Sequence, residues 1–259
     1  MTLGYLTAGL LVGFLAGLTG VGGGSLMTPL LVFLFRFKPV VAVGTDLLFA
    51  AITKTGGVLV HHGKHKSVDW QIVGLLAAGS LPGSIGTLLV LQNYARGAGL
   101  NRIVTSSLGV ALILVALAQL LRSTLVQFGK NQDARIPSPL KKLRTPLTIA
   151  VGLLLGVLVT LSSVGAGALG TVAVLALYPR LPTLKVVGTD LAFAIPLTAV
   201  AGLGHWRLGH VDFSLLGSLL LGSLPGIWLG SLLSAKIPER ILRPLLAILL
   251  LLIGLKFVI

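Results

Sequence analysis

Val43-Gly44-Thr45-Asp46 and Val187-Gly188-Thr189-Asp190 are the same four residues, met twice in one chain of 259 residues. Each copy sets a carboxylate inside a stretch that is otherwise almost entirely hydrocarbon. An ionisable group in a bilayer-spanning segment costs about 2.5–3.5 kcal/mol on insertion scales, so two at matched positions require a partner or a task. The pair reads as the core of a two-fold pathway through a membrane.

Working outward, the repeat grows. Gly44-Thr45-Asp46 returns 144 residues later, and Gly79-Ser80-Leu81-Pro82-Gly83 returns after 143 as Gly222-Ser223-Leu224-Pro225-Gly226. His61 aligns with His205, Asp69-Trp70 with Asp212-Phe213, and Asn101-Arg102-Ile103 with Glu239-Arg240-Ile241 after a small deletion. Self-similarity along the whole length means duplication. One long polar break divides the copies, giving a first repeat over 1–122, a basic linker over 123–145 and a second repeat over 146–259.

Composition names the solvent. The chain is 55% hydrophobic and 10% charged, with a mean hydropathy of +1.02, too much apolar surface for one water-soluble core. It reads as an all-α, polytopic membrane protein, because lipid leaves backbone groups no other way to pair and the alternating ten-residue strands of a barrel are missing. With no cysteine, disulfides and thiolate chemistry are excluded. The formal charge of +14 sits in loops between apolar segments, where cytoplasmic Lys/Arg enrichment explains it without nucleic acid. The amino terminus lacks the basic residues of a secretory leader, so the first apolar stretch is expected to be retained.

Apolar segments fall near 3–35, 40–60, 70–91, 101–121, 146–178, 184–204, 213–235 and 239–259. The first of each half is too long for one crossing and contains consecutive small residues: Thr19-Gly20-Val21-Gly22-Gly23-Gly24-Ser25 and Ser162-Ser163-Val164-Gly165-Ala166-Gly167-Ala168. A helix, a Gly/Ser turn and a short return helix fit this pattern. Loop charges favour the hairpin. Counted that way, Lys and Arg divide thirteen to six across the membrane, with Lys54 omitted because it lies within a segment. Each half then has an odd number of crossings, so the repeats are expected to be inverted, with the linker cytoplasmic and both termini outside.

Asp46 and Asp190 are two of only six acidic residues, and the others stand in loops or at segment ends. Each takes up and releases a proton, organises the hydroxyl of Thr45 or Thr189 at a substrate site, or caps a helix or the glycine turn through backbone N–H groups. The Gly/Ser turns are candidates for direct substrate contact, since glycine lets backbone approach a ligand and helix ends at breaks favour an anion. The positions are Gly20, Gly22, Gly23, Gly24, Ser25 and Thr28 in the first half. In the second they are Ser162, Ser163, Gly165, Gly167 and Thr171, and Thr45 and Thr189 stand beside the carboxylates. Close packing of helices through small residues is the competing explanation. Lys54, whose counterpart is Thr198, either attracts an anion or snorkels; His61 and His205 are secondary candidates. His61-His62-Gly63-Lys64-His65 lacks a neighbouring carboxylate and reads as a loop at the membrane edge rather than a metal site. Trp70, Trp206 and Trp228 suit interfacial anchors. No nucleotide loop and no nucleophile with its base can be assembled, so neither an ATPase nor another enzyme is expected, and no cofactor.

These residues together resemble the TauE/SafE family, the sulfite exporter or toluene sulfonate uptake permeases. The resemblance rests on Gly13-Phe14-Leu15-Ala16-Gly17-Leu18-Thr19-Gly20-Val21-Gly22-Gly23-Gly24, Val43-Gly44-Thr45-Asp46, His61, Gly79-Ser80-Leu81-Pro82-Gly83 and their echoes. It implies a secondary transporter of a small sulfur-containing anion such as sulfite, sulfoacetate or another organosulfonate in a bacterial inner membrane. Protons are candidate coupling ions and a homodimer is compatible. A passive anion channel and a divalent-metal transporter are the alternatives.

Overall fold

A computed structural model describes residues 3–19, 24–33, 35–65, 67–94, 99–121, 143–234 and 239–258. Within them lie ten helices: α1 (Leu3–Thr19), α2 (Gly24–Phe33), α3 (Pro39–His65), α4 (Trp70–Tyr94), α5 (Gly99–Leu120), α6 (Arg144–Ser162), α7 (Ala168–Leu177), α8 (Thr183–Arg207), α9 (Phe213–Ser234) and α10 (Glu239–Val258). The described residues contain no strand. Helices α4, α5, α6, α8 and α9 are long and apolar enough to cross a membrane. Leu154, Leu224, Leu245 and Leu252 are 62–67% exposed, which water would penalise and lipid accepts.

The two long first segments are each divided as their small residues dictate. In the first half one helix ends at Thr19 and the next begins at Gly24; residues 20–23 lie outside the described set. In the second half the break at 163–167 is fully described. Its entry residue, Ser163, adopts a left-handed conformation with φ 58°, and its N–H closes α6 on the Val159 carbonyl. Gly165, with φ 107°, supplies the conformation that other residues rarely adopt.

The helices pair across the halves. Helix α1 lies along α9, α6 along α4, α3 along α8, and α5 against α10. Glycines set the first two contacts. Gly9 and Gly13 meet the backbone at Leu219 and Ser223, while Gly222 and Gly226 meet it at Leu6 and Leu10. The α4–α6 seam repeats the scheme: Gly152 and Gly156 face Leu76 and Ser80, and Gly79 and Gly83 face Ile149 and Leu153. A Cβ at Gly9 would stand 2.8 Å from the Leu219 carbonyl oxygen, and one at Gly83 would stand 2.6 Å from that of Leu153, so any side chain would wedge the helices apart. Backbones approach this closely because, without a hydrophobic force between helices in lipid, association rests on packing of small residues.

Contact order along each pair fixes direction. Residue numbers rise together in the α1–α9 and α4–α6 seams, so those pairs are parallel. Gly44 faces His205 and His210 while Gly202 faces Leu48, so α3 and α8 are antiparallel. The starts of α3 and α9 meet through Thr45 and Asp212, and those of α8 and α4 through Thr189 and Asp69. Helices α1, α3 and α9 therefore run one way, and α4, α6 and α8 run the other.

The polar cluster after α3 differs from the sequence expectation. Helix α3 continues through His61, His62 and Gly63 to His65 instead of ending at residue 60. A single glycine at a helix end costs only about 1 kcal/mol, and no proline intervenes before Ser67. The side chains of His61, His62 and His65 lie outside those described.

Candidate functional site

Each residue of the repeated Gly-Thr-Asp performs a different task, and does so twice. Gly44, on α3, accepts the His210 carbonyl from the loop between α8 and α9; Gly188, on α8, accepts Ser67 from the loop between α3 and α4. The next residue ties the same loops down. Thr45 Oγ1 accepts the Asp212 N–H at 3.1 Å, and Thr189 Oγ1 accepts the Asp69 N–H at 2.9 Å. Those aspartates in turn cap their helices, Asp69 Oδ1 accepting from the Ile72 N–H and Asp212 Oδ1 from the Leu215 N–H. Gly-Thr is thus a clamp by which each half holds the other.

The aspartates point elsewhere. Asp46 and Asp190 are 0% and 4% exposed, and each accepts a hydrogen bond from a threonine on the short helix of its own half. Thr28 Oγ1 on α2 donates to Asp46 Oδ2 at 2.6 Å, and Thr171 Oγ1 on α7 donates to Asp190 Oδ2 at 2.9 Å. Asp46 also interacts with the backbone N–H of Thr28, early in α2, so it keeps part of a helix-cap role, whereas Asp190 is held by the Thr171 hydroxyl. In both, the second oxygen, Oδ1, is buried without a hydrogen-bond partner. Gly170 makes room for one of them, since a Cβ there would collide with Asp190 Oδ1. A carboxylate buried with one oxygen unsatisfied is costly, which marks both positions as more than packing.

Lys54 stands between them. Its ammonium donates to the Ala166 carbonyl within the α6–α7 break. This is an internal contact, not a snorkel to the interface. The same ammonium acts electrostatically on Asp190 and Asp46. From the antiparallel α3–α8 register, Asp190 lies opposite residue 60 of α3, so the two carboxylates are roughly 20 Å apart along the axis, with Lys54 near the midpoint. Both border the same break: Asp46 lies beside Ser163, and Asp190 lies against Gly170, whose N–H binds the Gly165 carbonyl.

The break itself is entered through two serines. Ser162 Oγ donates to the Leu158 carbonyl at 2.6 Å and accepts from the Val164 N–H at 3.1 Å. Ser163, 3% exposed, has its Oγ buried next to Asp46. A non-glycine residue in the left-handed region costs about 1 kcal/mol or more and persists where its surroundings demand it. Of the hydroxyls in the break, that of Ser163 is the one turned toward Asp46, with which it interacts. Gly165 and Gly167 shape the turn, and the Gly165 carbonyl collects the N–H groups of Gly167, Leu169 and Gly170. Gly20, Gly22 and Gly23 lie outside the described residues, as do the side chain of Ser25 and any contact of Gly24.

His205 supports the break from behind. It is fully buried, and its Nε2 stands 2.9 Å from the Thr160 carbonyl, one of the last carbonyls of α6. Since a carbonyl only accepts, Nε2 carries the proton, leaving Nδ1 to face His210 Nδ1 at 3.3 Å. Thr160 Oγ1 donates to the Gly156 carbonyl and lies 2.8 Å from Ser84 Oγ on α4. The residues that sequence reading missed here are Thr160, Ser84 and His210. Only a matched-spacing argument from the His61–His205 alignment pointed near them.

The sequence that builds this arrangement matches a known family. A family model described as Sulfite exporter TauE/SafE covers residues 5–257. The chain belongs to the TauE/SafE family. Among similar proteins, "Probable membrane transporter protein YjnA" of Bacillus subtilis (strain 168) is 38% identical, each chain covered in full. "Probable membrane transporter protein YunE" of the same organism is 27% identical over 96% of this chain and 94% of its own. "Probable membrane transporter protein MJ0441" of Methanocaldococcus jannaschii is 26% identical over 96% and 92%. No solved structure matches the chain. As a TauE/SafE protein it is a multi-pass membrane transporter.

Proposed function

We propose that this TauE/SafE protein is a secondary transporter of a small sulfur-containing anion, such as sulfite, sulfoacetate or a related organosulfonate, across a bacterial inner membrane. One observation carries the reading: the Lys54 ammonium rests on the Ala166 carbonyl at a buried helix break, with the Ser163 hydroxyl, beside Asp46, in the same break. A cation, a hydroxyl and the start of α7, whose helix dipole favours negative charge, converge on the place where an anion can be held away from water.

The transport cycle follows from the architecture. We take residues 1–122 and 146–259 as inverted repeats joined by a cytoplasmic linker over 123–145, with both termini periplasmic. The opposite directions of α1 and α6, α3 and α8, and α9 and α4 support this, because each element opposes its counterpart. The basic linker supports the orientation. The seams α1–α9 and α4–α6 are then the surfaces on which one half moves against the other. Alternating exposure of the break at 163–167 to the two sides delivers the anion, with a proton as companion.

Counterflow in proteoliposomes tests the carrier. Vesicles preloaded with unlabelled sulfite are expected to accumulate external radiolabelled sulfite transiently, with saturating initial rates. Flux that rises linearly with concentration and shows no counterflow marks a passive channel instead. Among organosulfonates, competition against labelled sulfite ranks the substrates.

A further inference from the structure

Lys54 breaks the two-fold pattern, and the break has an electrostatic meaning. Its counterpart, Thr198, is occupied within its own helix, donating to the Ala194 carbonyl at 2.8 Å. One ammonium therefore stands where symmetry would place two. Among the described residues, Lys54 is the only charged group acting on Asp46, and the only one acting on Asp190. The other ionisable groups on α3 and the elements packed against it sit near helix ends: Lys185, His205 and Arg207 on α8, Arg102 on α5, Arg144 on α6, and His61, His62, Lys64 and His65 in the last turn of α3 itself, the side chains of these four lying outside those described. Helices α2, α4, α7 and α9 carry no lysine, arginine, histidine or carboxylate.

Among the described side chains the result is a line of minus, plus, minus along the α3–α8 seam. Fully ionised, it holds one uncompensated negative charge in a medium where that is expensive. Both unpaired oxygens, Asp46 Oδ1 and Asp190 Oδ1, show that neither carboxylate is satisfied by its threonine alone. A lysine has a flexible four-carbon stem and three donors, so it can turn from one partner to another. The Ala166 carbonyl holds it at the midpoint, in the same break that carries Ser163.

Resting on the anion-transport reading, we propose that Lys54 is a single cation shared at a distance by Asp46 and Asp190, and that a substrate anion binds by drawing Lys54 off the Ala166 carbonyl and neutralising it, so that one of the carboxylates then accepts a proton from solution. The charge balances. One monovalent anion enters, one proton is taken up, and the seam keeps the net charge it had. Lys54 is thereby the residue that obliges anion and proton to travel together, and a sulfonate or bisulfite is preferred over a divalent sulfate, which would need a second proton.

Two measurements on the full-length protein test this. In detergent, thermal melting of Lys54→Met, Asp46→Asn, Asp190→Asn and the two double variants forms two cycles; Lys54→Arg checks that charge alone sustains the fold. Non-additive cycles for both aspartates are expected, each double variant regaining part of the melting temperature lost in Lys54→Met. Additive cycles overturn the shared cation. In proteoliposomes carrying an internal pH dye, wild type is expected to take up one proton per bisulfite equivalent, and Lys54→Met to lose roughly tenfold or more of its accumulation. Sulfite flux without proton movement overturns the exchange. No sulfite flux at all overturns the transport reading and the exchange with it, while the melting cycles still decide whether the cation is shared.

Discussion

The smallest unit that matters is the hydroxyl-to-carboxylate contact, which occurs once in each half with the same geometry but different surroundings. Asp46 has Thr28 and Ser163 nearby, whereas Asp190 has Thr171 and the bare backbone of Gly170. If both carboxylates move protons, Asp46→Asn and Asp190→Asn should each abolish the response of sulfite uptake to a pH gradient while leaving the protein folded. Uptake in vesicles with and without the gradient, compared across wild type and both variants, checks this. A response that survives in both variants removes the aspartates from coupling. Thr45 and Thr189 obey a different rule. Their hydroxyls hold loops of the opposite half, so Thr45→Val leaves the Asp212 N–H unpaired and should cost about 1–2 kcal/mol in stability, read as a lowered melting temperature. Its double with Thr189→Val should lose about twice as much, because the two clamps share no partner.

At the scale of whole helices, stability is concentrated in two glycine-lined seams. Gly79-Ser80-Leu81-Pro82-Gly83 and its repeat place glycines four residues apart, and each pair admits a carbonyl row of a helix from the other half. Gly79→Leu or Gly156→Leu should therefore force α4 from α6 and lower folded yield sharply. Gly74→Ala and Gly86→Ala, on the same helix α4 but facing nothing within 4 Å, should be tolerated. Fluorescence-detected size-exclusion of the four variants separates these outcomes; equal yields would mean that the seam has slack. The short helices α2 and α7 are a different kind of element. At ten residues each they reach only about 15 Å, half a membrane, and their value lies in presenting Thr28 and Thr171 to the aspartates.

For the whole molecule, orientation is the open physical quantity, and the lack of any cysteine makes it easy to measure. A single cysteine introduced at Lys130 should react with membrane-impermeant maleimide only from the cytoplasmic side, and one at Thr2 only from outside. Reaction of both from the same side would refute an odd number of crossings per half. Much of the architecture was legible in the sequence. Hydropathy fixed the solvent, the 143–144-residue repeat exposed the duplication, and consecutive small residues foretold the break after Ser162, because these are properties of composition and local backbone freedom. Intramembrane charges likewise announced themselves by their cost. Three things were decided only by tertiary structure: that Thr45 and Thr189 clamp the opposite half, that Asp46 and Asp190 stand apart along one seam, and that Lys54 reaches the Ala166 carbonyl between them. Each depends on which helix of one repeat meets which helix of the other. That pairing is set by glycine-to-carbonyl approaches between residues 70 or more positions apart in the chain, which no local pattern encodes.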